Sequence, residues 1–329
     1  MKPLKLYVVA GEASGDLHGS SMMNALLEEN PSIQFRFWGG DRMKAIQPDG
    51  LAKHIKELAF MGFIEVIANL GTILKNISFC KKDIEGYQPD AIVLVDYPGF
   101  NLRIAEWAKS KGIKVYYYIS PSIWAWKESR VHKIKRVVDH MFVILPFEKD
   151  FYAKHDCVVE YVGNPLIDEI AKYKNDNTSS ELRSKYKLDE RPIVAVLPGS
   201  RKQEISKKLP IMLEALKGIE THQIVVAGAP NLEASFYESI TTEAHIIYGE
   251  TYSILANSDL AVVTSGTATL ETALFKVPEV VCYKGAEISY RIAKKLIKVD
   301  YISLVNLIMG REVVKELIQK DCNPALIRK

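Results

Sequence analysis

The residue with the clearest chemical potential is Asp96, which directly follows the apolar run Ala91–Val95. A continuous apolar run of this length is typical of a strand buried in a parallel sheet, and ligands bind beyond the carboxyl ends of such strands. A carboxylate there can accept a proton from a substrate hydroxyl, and partial burial raises its pKa and improves it as a base. Asp96 is therefore the candidate general base, unless it only accepts hydrogen bonds from nearby backbone N–H groups.

Two loops in the second half of the sequence carry groups that suit a diphosphate. The run Ile193–Leu197 leads into a loop with an arginine, and the run Leu260–Val263 leads into small hydroxyl residues and a glycine. Arginine binds phosphate in a bidentate way, and free N–H groups at a helix N-terminus bind anions. Glu271, one helical turn after Thr267, can reach a ribose diol. The candidate residues are Gly199, Ser200, Arg201, Ser265, Gly266, Thr267, Ala268 and Glu271; the alternative is two ordinary β–α turns.

Two loops in the first half are weaker candidates. Ser14, Gly15 and Asp16 follow the strand-like run Leu4–Ala10, and they either cradle an anion at a helix N-terminus or cap a tight turn. Trp124 and Trp126 lie beside basic residues, where they either line an apolar channel or pack. The sequence contains neither the dinucleotide pattern G-x-G-x-x-G after its first strand nor the P-loop pattern G-x-x-x-x-G-K-[ST].

An apolar segment over residues 58–70 is too short and too interrupted to span a bilayer. It either dips into a membrane interface or forms a core helix, and its candidate lipid-binding residues are Phe60, Met61, Phe63 and Val66. Residues 127–136 and 284–298 each carry five basic residues against one acidic residue. These two basic segments predict an anionic surface or a phosphorylated ligand, or else they are solvated helix faces.

The composition excludes several classes of protein. The chain has 329 residues, 48% of them apolar and 25% charged, and a formal net charge of +3. This balance excludes a disordered or collagen-like chain and argues against a nucleic-acid-binding protein. The start of the sequence lacks the pattern of a signal peptide, so we expect a cytoplasmic location. The four cysteines show no zinc-ligand spacing and are expected to be reduced, and neither a metal nor a cofactor is predicted.

Short apolar runs alternate with helix-like stretches along the whole chain. The pattern predicts an α/β protein with two Rossmann-like domains, whose parallel sheets face a central cleft. A polar stretch over Lys172–Pro192 is the predicted linker, and we place the domains at residues 1–170 and 171–329. The first contains the candidate base, and the second contains the candidate phosphate-binding loops.

Taken together, the loops resemble those of the lipid-A-disaccharide synthases, a family of inverting glycosyltransferases with the GT-B fold. The resemblance covers nearly the whole chain, with the motifs in the family's order. They are Ala10–Asp16, Phe60–Gly62, Glu65–Val66, Asp96–Asn101, Ser120–Trp126, Leu145–Glu148, Leu197–Arg201, Ser265–Glu271, Asp300–Leu304 and Asn306–Leu307.

The resemblance implies a reaction between two acylated sugars. The donor would be UDP-2,3-diacylglucosamine and the acceptor 2,3-diacylglucosamine 1-phosphate, giving the β-1,6-linked disaccharide 1-phosphate and UDP. Asp96 would act as base, and Asn306 would join the donor site. Ser14, Gly15, Asp16, Trp124 and the apolar segment would serve the acceptor, at an anionic membrane surface on the cytoplasmic face of the inner membrane.

The sequence departs from the family pattern at two places. Gly163-Asn164-Pro165 stands where many relatives have Gly-His-Pro, and asparagine cannot titrate. The family also continues past the segment Asn306–Glu312 with helices that are exchanged between subunits, whereas this sequence ends at Lys329, which leaves a homodimer and full activity open. Two other readings remain: a UDP-sugar enzyme of the same fold, such as a UDP-N-acetylglucosamine 2-epimerase-like protein, or a non-catalytic module that binds nucleotide sugars.

Overall fold

Two parallel β-sheets form the framework of the protein, one in each half of the chain. The computed structural model describes residues 2–58, 70–176, 181–230, 232–297 and 299–329. In that part of the chain the first sheet contains β1 to β7, which are Lys5–Ala10, Gln34–Gly39, Leu51–His54, Ala91–Val95, Lys114–Tyr118, His140–Val143 and Glu160–Tyr161. The second contains β8 to β13, which are Ile193–Leu197, Gln223–Gly228, His245–Tyr248, Leu260–Thr264, Glu279–Tyr283 and Lys315–Ile318.

Each sheet has one point at which the strand order reverses. The first sheet has the order β3-β2-β1-β4-β5-β6-β7, and the second has the order β10-β9-β8-β11-β12-β13. Neighbouring strands are parallel throughout. In such sheets the loops after β1 and β4, and after β8 and β11, diverge and leave a crevice where ligands bind. The loops with the candidate base and the candidate anion-binding residues follow these four strands, whereas Trp124 lies after β5.

Helices connect the strands and cover the sheets. In the first half they are Ala13–Glu29, Asp41–Ile46, Leu70–Tyr87, Pro98–Ser110, Ile123–Trp126, Arg130–Val137 and Pro146–Ala153, with short 3-10 helices at Pro48–Gly50 and Ile55–Leu58. In the second half they are Pro165–Asp176, Glu181–Tyr186, Lys202–Leu216, Ala234–Glu238, Thr251–Ala256, Thr267–Leu274, Glu287–Leu296, Leu304–Met309 and Pro324–Arg328. None of the described helices has the length and apolar character needed to cross a membrane.

The chain divides into two compact units, Met1–Pro165 and Leu166–Lys329. The division therefore precedes both the predicted boundary after residue 170 and the predicted linker over Lys172–Pro192. Two helices occupy much of that segment, and their apolar sides pack into the core of the second unit. Ile170 and Leu182 of these helices, and Leu188 after them, are buried there. The described part of the predicted linker therefore packs within the second unit.

Candidate active site

Asp96 and Tyr97 form a strained turn at the carboxyl end of β4. Their φ angles are 43° and 48°, in the left-handed region that residues other than glycine rarely adopt. Two buried side chains hold the turn through one oxygen. The carbonyl of Asp96 accepts hydrogen bonds from Nδ2 of Asn101 at 2.8 Å and from the hydroxyl of Tyr117 at 2.5 Å. The fold thus imposes this conformation on the candidate base, as is common at functional sites.

Gly11, which follows β1, provides the space in which the ring of Tyr97 lies. A Cβ atom on Gly11 would lie 2.3 Å from Cδ1 of Tyr97, so no larger residue fits without displacing the ring. The loops after β1 and β4 therefore touch each other, as the strand order requires. Any change at Gly11 would disturb the turn that carries Asp96.

The carboxyl group of Asp96 titrates near neutrality. Its pKa is raised from 3.8 to about 7, first by burial and then by the negative charge of Glu12. A hydrogen bond from the backbone N–H of Tyr97 lowers the pKa, and the charge of Glu148 raises it. A carboxyl group with this pKa is partly ionised at neutral pH and holds an abstracted proton well, which suits a general base.

Trp124 is anchored to the acidic surroundings of Asp96. Its Nε1 donates to Oε1 of Glu148 at 3.2 Å, and its ring meets that of Phe147 edge to face at 4.9 Å. Glu148 also accepts the backbone N–H groups of Ile144 and Leu145 at 3.2 and 2.9 Å. Burial raises the pKa of Glu148 to about 7. The structure thus brings the predicted residues Asp96 and Trp124 into one region of the first unit.

The loops after β8 and β11 meet at Gly199 in the second unit. Gly199 has a φ of 116°, and a Cβ there would lie 2.8 Å from Oε2 of Glu204 and 3.5 Å from Cγ2 of Thr264. Ser200 and Arg201 follow it and are exposed. Nη1 of Arg201 donates to Oε1 of Glu204 at 3.2 Å. The predicted phosphate-binding side chains therefore face solvent, beside an internal carboxylate.

The other predicted nucleotide residues surround the start of the helix Thr267–Leu274. Gly266 and Thr267 are exposed, Ala268 is half-buried, and no described side chain caps the helix. Its first N–H groups can therefore bind an anion. Ser265 Oγ donates to the carbonyl of Ile302 at 2.9 Å. One turn into the helix, Oε1 of Glu271 accepts the hydroxyl of Tyr252 at 3.2 Å, and burial raises the pKa of Glu271.

Asn306, which the resemblance places in the donor site, forms hydrogen bonds with other residues of the second unit. Its Nδ2 donates to the carbonyl of Val314 and to Oε1 of Glu316, both at 2.9 Å. Its Oδ1 accepts the N–H groups of Val313 and Val314 at 2.7 and 3.0 Å. The amide has two donors and two acceptor lone pairs, so all four are occupied. In this structure the side-chain amide of Asn306 shapes the loop before β13, and its hydrogen-bonding capacity is taken up there.

Comparison with known proteins identifies the family. The family model described as lipid-A-disaccharide synthetase matches residues 6–329. The chain belongs to the lipid-A-disaccharide synthase family. It is 42% identical to the lipid-A-disaccharide synthase of Syntrophus aciditrophicus, over 97% of this chain and 85% of that protein. It is 39% identical to that of Myxococcus xanthus, over 99% of this chain and 86% of that protein. Family membership assigns the chain to lipid A disaccharide synthesis, a glycosyltransferase activity.

Some solved structures have a similar fold but a low sequence identity to this chain. A UDP-GlcNAc 2-epimerase from Methanocaldococcus jannaschii, solved with UDP-GlcNAc and UDP, aligns with a TM-score of 0.67 at 14% identity, covering 99% of this chain and 91% of its own. The glycotransferase of kitacinnamycin aligns at 0.63 and 11% identity, covering 100% and 89%. At these identities the likeness shows the fold alone. It confirms the predicted GT-B architecture of two Rossmann-like domains.

Asp16, a predicted acceptor residue of the synthase family motif, serves the backbone of its own unit. Its carboxylate accepts the N–H groups of Gly40 at 2.6 Å and of Arg42 and Met43 at 3.1 Å. These N–H groups belong to the start of the helix Asp41–Ile46, so Asp16 caps that helix. Its own helix begins at Ala13, so Asp16 lies in the first turn of that helix and not before it. Ser14 is exposed and Gly15 is buried, with 3.2 Å between a Cβ on Gly15 and that of Ala10.

Replacing Asp16 by alanine should therefore destabilise the first unit. Three N–H groups would lose a charged acceptor, and we expect the free energy of unfolding to fall by about 2 kcal/mol. Denaturant unfolding measures this, and Asp41→Ala, which removes an exposed carboxylate from the same helix, should leave the free energy of unfolding nearly unchanged. If Asp16→Ala instead leaves stability intact and raises the acceptor KM, Asp16 binds the acceptor as the sequence predicts.

The sequence analysis missed one charged residue beside the predicted phosphate-binding loops. Lys208 is 4% exposed, and its Nζ contacts Oγ1 of Thr264 and lies 3.9 Å from Oε2 of Glu204. In the sequence it resembles the other lysines of the helix Lys202–Leu216, such as the exposed Lys207. The sequence did contain a signal for its burial: Lys208 comes four residues after Glu204 and lies on the side of the helix that carries the apolar residues Ile205 and Leu209.

The apolar residues Phe60, Met61, Phe63 and Val66 lie outside the described residues. Within the described ranges, no group of three or more histidine, cysteine, aspartate or glutamate side chains is arranged to hold a metal ion.

Proposed function

We propose that the chain transfers the sugar of UDP-2,3-diacylglucosamine to the 6-hydroxyl of 2,3-diacylglucosamine 1-phosphate. The products are the β-1,6-linked disaccharide 1-phosphate and UDP. The single observation that best supports this chemistry is Asp96, held in a strained turn beyond β4 with a pKa of about 7. A glycosyl transfer to a hydroxyl needs a base of this kind, because the attacking oxygen must lose its proton.

In the proposed mechanism Asp96 removes the proton from the acceptor 6-hydroxyl as its oxygen attacks the anomeric carbon of the donor. The new glycosidic bond forms as the bond between the anomeric carbon and the diphosphate breaks, and the electron pair of that bond leaves with UDP. One displacement inverts the configuration at the anomeric carbon and requires no covalent intermediate. Trp124 would line the acceptor site near the base.

The second unit would bind the donor in this proposal. Arg201, Ser200 and the N–H groups that begin the helix Thr267–Leu274 would stabilise the charge that develops on the diphosphate. Ser265 would position the adjoining loop through its bond to Ile302. Glu271, at the same end of the helix, would accept hydroxyl groups of the ribose. Each of these groups lies in a loop or helix end that follows β8 or β11.

We also propose that the reaction takes place at the cytoplasmic face of the inner membrane, because both substrates carry acyl chains. The apolar segment with Phe60, Met61, Phe63 and Val66 would receive these chains. Support comes from the basic segment 284–298, where Lys294 and Lys295 are exposed on the helix Glu287–Leu296 and Arg291 is exposed beside its ion-pair partner Glu287. Exposed cations of this kind are attracted to anionic lipid headgroups.

The experiment that tests the proposed function is UDP release with both lipid substrates in detergent. Release should require both lipids, and the disaccharide 1-phosphate should form in equal amount. Release that ignores the acceptor would contradict the proposed transfer. Formation of an epimerised nucleotide sugar without an acceptor would instead identify the chain as an epimerase.

The pH dependence of the reaction should respond to Glu12. The negative charge of Glu12 raises the pKa of Asp96, so Glu12→Gln lowers that pKa and keeps the base ionised in more acidic solution. The acid limb of the kcat/KM profile, expected near pH 7 in the wild type, should move to lower pH. Glu29→Gln, at the far end of the same helix, should leave the limb in place. An unchanged limb in Glu12→Gln would show that another group controls the profile.

A further inference from the structure

The basic segment 127–136 contains two kinds of charged side chain. Nζ of Lys133 and Nη2 of Arg136 both bind Glu106, at 2.7 and 2.9 Å, and Nζ of Lys135 donates to a backbone carbonyl at 3.4 Å. These three cations attach the helix Arg130–Val137 to the rest of the first unit. Their charges are therefore used within the fold.

Lys127 and Arg130 are placed differently. Nζ of Lys127 lies 4.3 Å from the ring centroid of Trp126, and Cζ of Arg130 lies 5.5 Å from the same centroid. Glu128, between them in sequence, binds Nε2 of His155 at 3.1 Å. Among the residues that the structure describes, neither cation forms an ion pair. Trp126 itself is 46% exposed, so this cluster presents two positive charges and an aromatic face to solvent.

The cluster lies on the chain segment that follows β5, and β5 is the strand beside β4, which leads to the candidate base. β5 pairs with β4, and the N–H of Asp96 donates to the carbonyl of Tyr118 at 3.1 Å. The chain then passes Trp124, whose indole binds Glu148 near Asp96. Burial raises the pKa of Tyr117, whose hydroxyl binds the Asp96 carbonyl, and the charge of Arg130 acts in the opposite direction.

The chemistry of the cluster suits a phosphate monoester. A guanidinium group binds two phosphate oxygens at once, and a neighbouring ammonium group adds a second charge. Both cations contact the Trp126 ring, which restricts their side chains before the ligand arrives and so lowers the entropic cost of binding. We infer that Arg130, Lys127 and Trp126 form the binding site for the phosphate monoester of a glycosyl 1-phosphate acceptor.

This inference rests on the proposed function, because it names the part of the enzyme that recognises one end of its acceptor. The phosphate on C1 and the hydroxyl on C6 belong to the same pyranose unit and lie on the two sides of its ring oxygen. Holding the phosphate fixes the sugar, so that the hydroxyl can be directed towards Asp96. A bound acceptor whose sugar is fixed in this way reacts faster than one held by its acyl chains alone.

The test compares two acceptors, 2,3-diacylglucosamine 1-phosphate and the same lipid without its phosphate, in detergent micelles. Arg130→Gln should lower kcat/KM for the phosphorylated acceptor by about 10- to 100-fold, the range expected for a lost charge-assisted hydrogen bond. It should leave kcat/KM for the dephosphorylated acceptor within about two-fold of the wild type. Arg130→Lys should recover part of the preference. Arg136→Gln, on the same helix, should match the wild type with both acceptors.

Retention of the protein on micelles that contain either lipid provides a readout independent of turnover. Phosphate-dependent retention that Arg130→Gln abolishes supports the site even if no disaccharide forms, an outcome that would contradict the proposed function alone. An equal loss of activity towards both acceptors would overturn the inference. So would unchanged discrimination between them, combined with weaker binding to phosphatidylglycerol vesicles, because that result would assign the cluster to the membrane surface.

Discussion

Replacing Asp96 by asparagine should lower kcat/KM for disaccharide formation by about 10²- to 10⁴-fold, the range of a general base. Asparagine has nearly the same shape, and the backbone carbonyl at this position can still accept hydrogen bonds from Asn101 and Tyr117. The turn is therefore expected to persist while the proton acceptor is lost. The residual rate should also lose its acid limb near pH 7, since the group that titrates there is absent.

Asp90→Asn is the matched control for this prediction. Asp90 lies at the other end of β4, where it is exposed and accepts the N–H of Lys5 at 2.8 Å. The same change from aspartate to asparagine, just before β4 and not just after it, should leave kcat/KM within about two-fold of the wild type, as for most exposed positions. Retention of full activity in Asp96→Asn would mean that the turn only shapes the loop after β4.

Replacing Asp96 by asparagine should also stabilise the protein above neutral pH. The pKa of Asp96 is raised on folding from 3.8 to about 7, so the folded state binds this proton more tightly than the unfolded state. The resulting stability is complete below about pH 4 and is lost as the pH rises through 7. Asparagine carries no charge and avoids that loss. We expect Asp96→Asn to unfold at a higher temperature than the wild type at about pH 8, with the difference vanishing at about pH 4.

The sequence predicts strands best where they are wholly apolar. Ala91–Val95 and Ile193–Leu197 were predicted with their observed bounds, because such runs fit only a strand buried on both faces. Leu51–His54, His245–Tyr248 and Lys315–Ile318 were not predicted. Each pairs on one side only, at the edge of its sheet, and each includes a basic or histidine residue.

The sequence could not predict residue roles that depend on hydrogen bonds to backbone groups elsewhere in the chain. Asp16 was predicted to act near its own helix, but its hydrogen bonds go to residues 40–43, whose position depends on the fold. Asn306 carries a family motif, yet its partners lie at residues 313–316. By contrast, Asp96 and Gly199 could be singled out because both directly follow, or nearly follow, strands whose order determines where ligands bind.

Replacing Lys208 by methionine should weaken UDP binding by about 10-fold or more. Glu204 lies between two cations, with Oε1 3.2 Å from Nη1 of Arg201 and Oε2 3.9 Å from Nζ of Lys208. If Arg201 turns to the diphosphate, Lys208 still neutralises Glu204. Without Lys208, that carboxylate would repel the incoming diphosphate or retain Arg201. Methionine fills the buried position, and replacing buried charges by apolar groups often preserves folding.

If Lys208 balances the charge of Glu204, removing that charge as well should restore most of the affinity for UDP. Glu204→Gln combined with Lys208→Met should therefore bind UDP better than Lys208→Met alone, which a merely structural role of Lys208 would not produce. Calorimetry with uridine should show no loss in either variant, because uridine has no phosphate. Lys207→Met removes an exposed cation from the same helix and should change UDP affinity by less than about two-fold. Equal losses for uridine and UDP, or no recovery in the double variant, would mean that Lys208 supports the fold and not the charge balance of the diphosphate site.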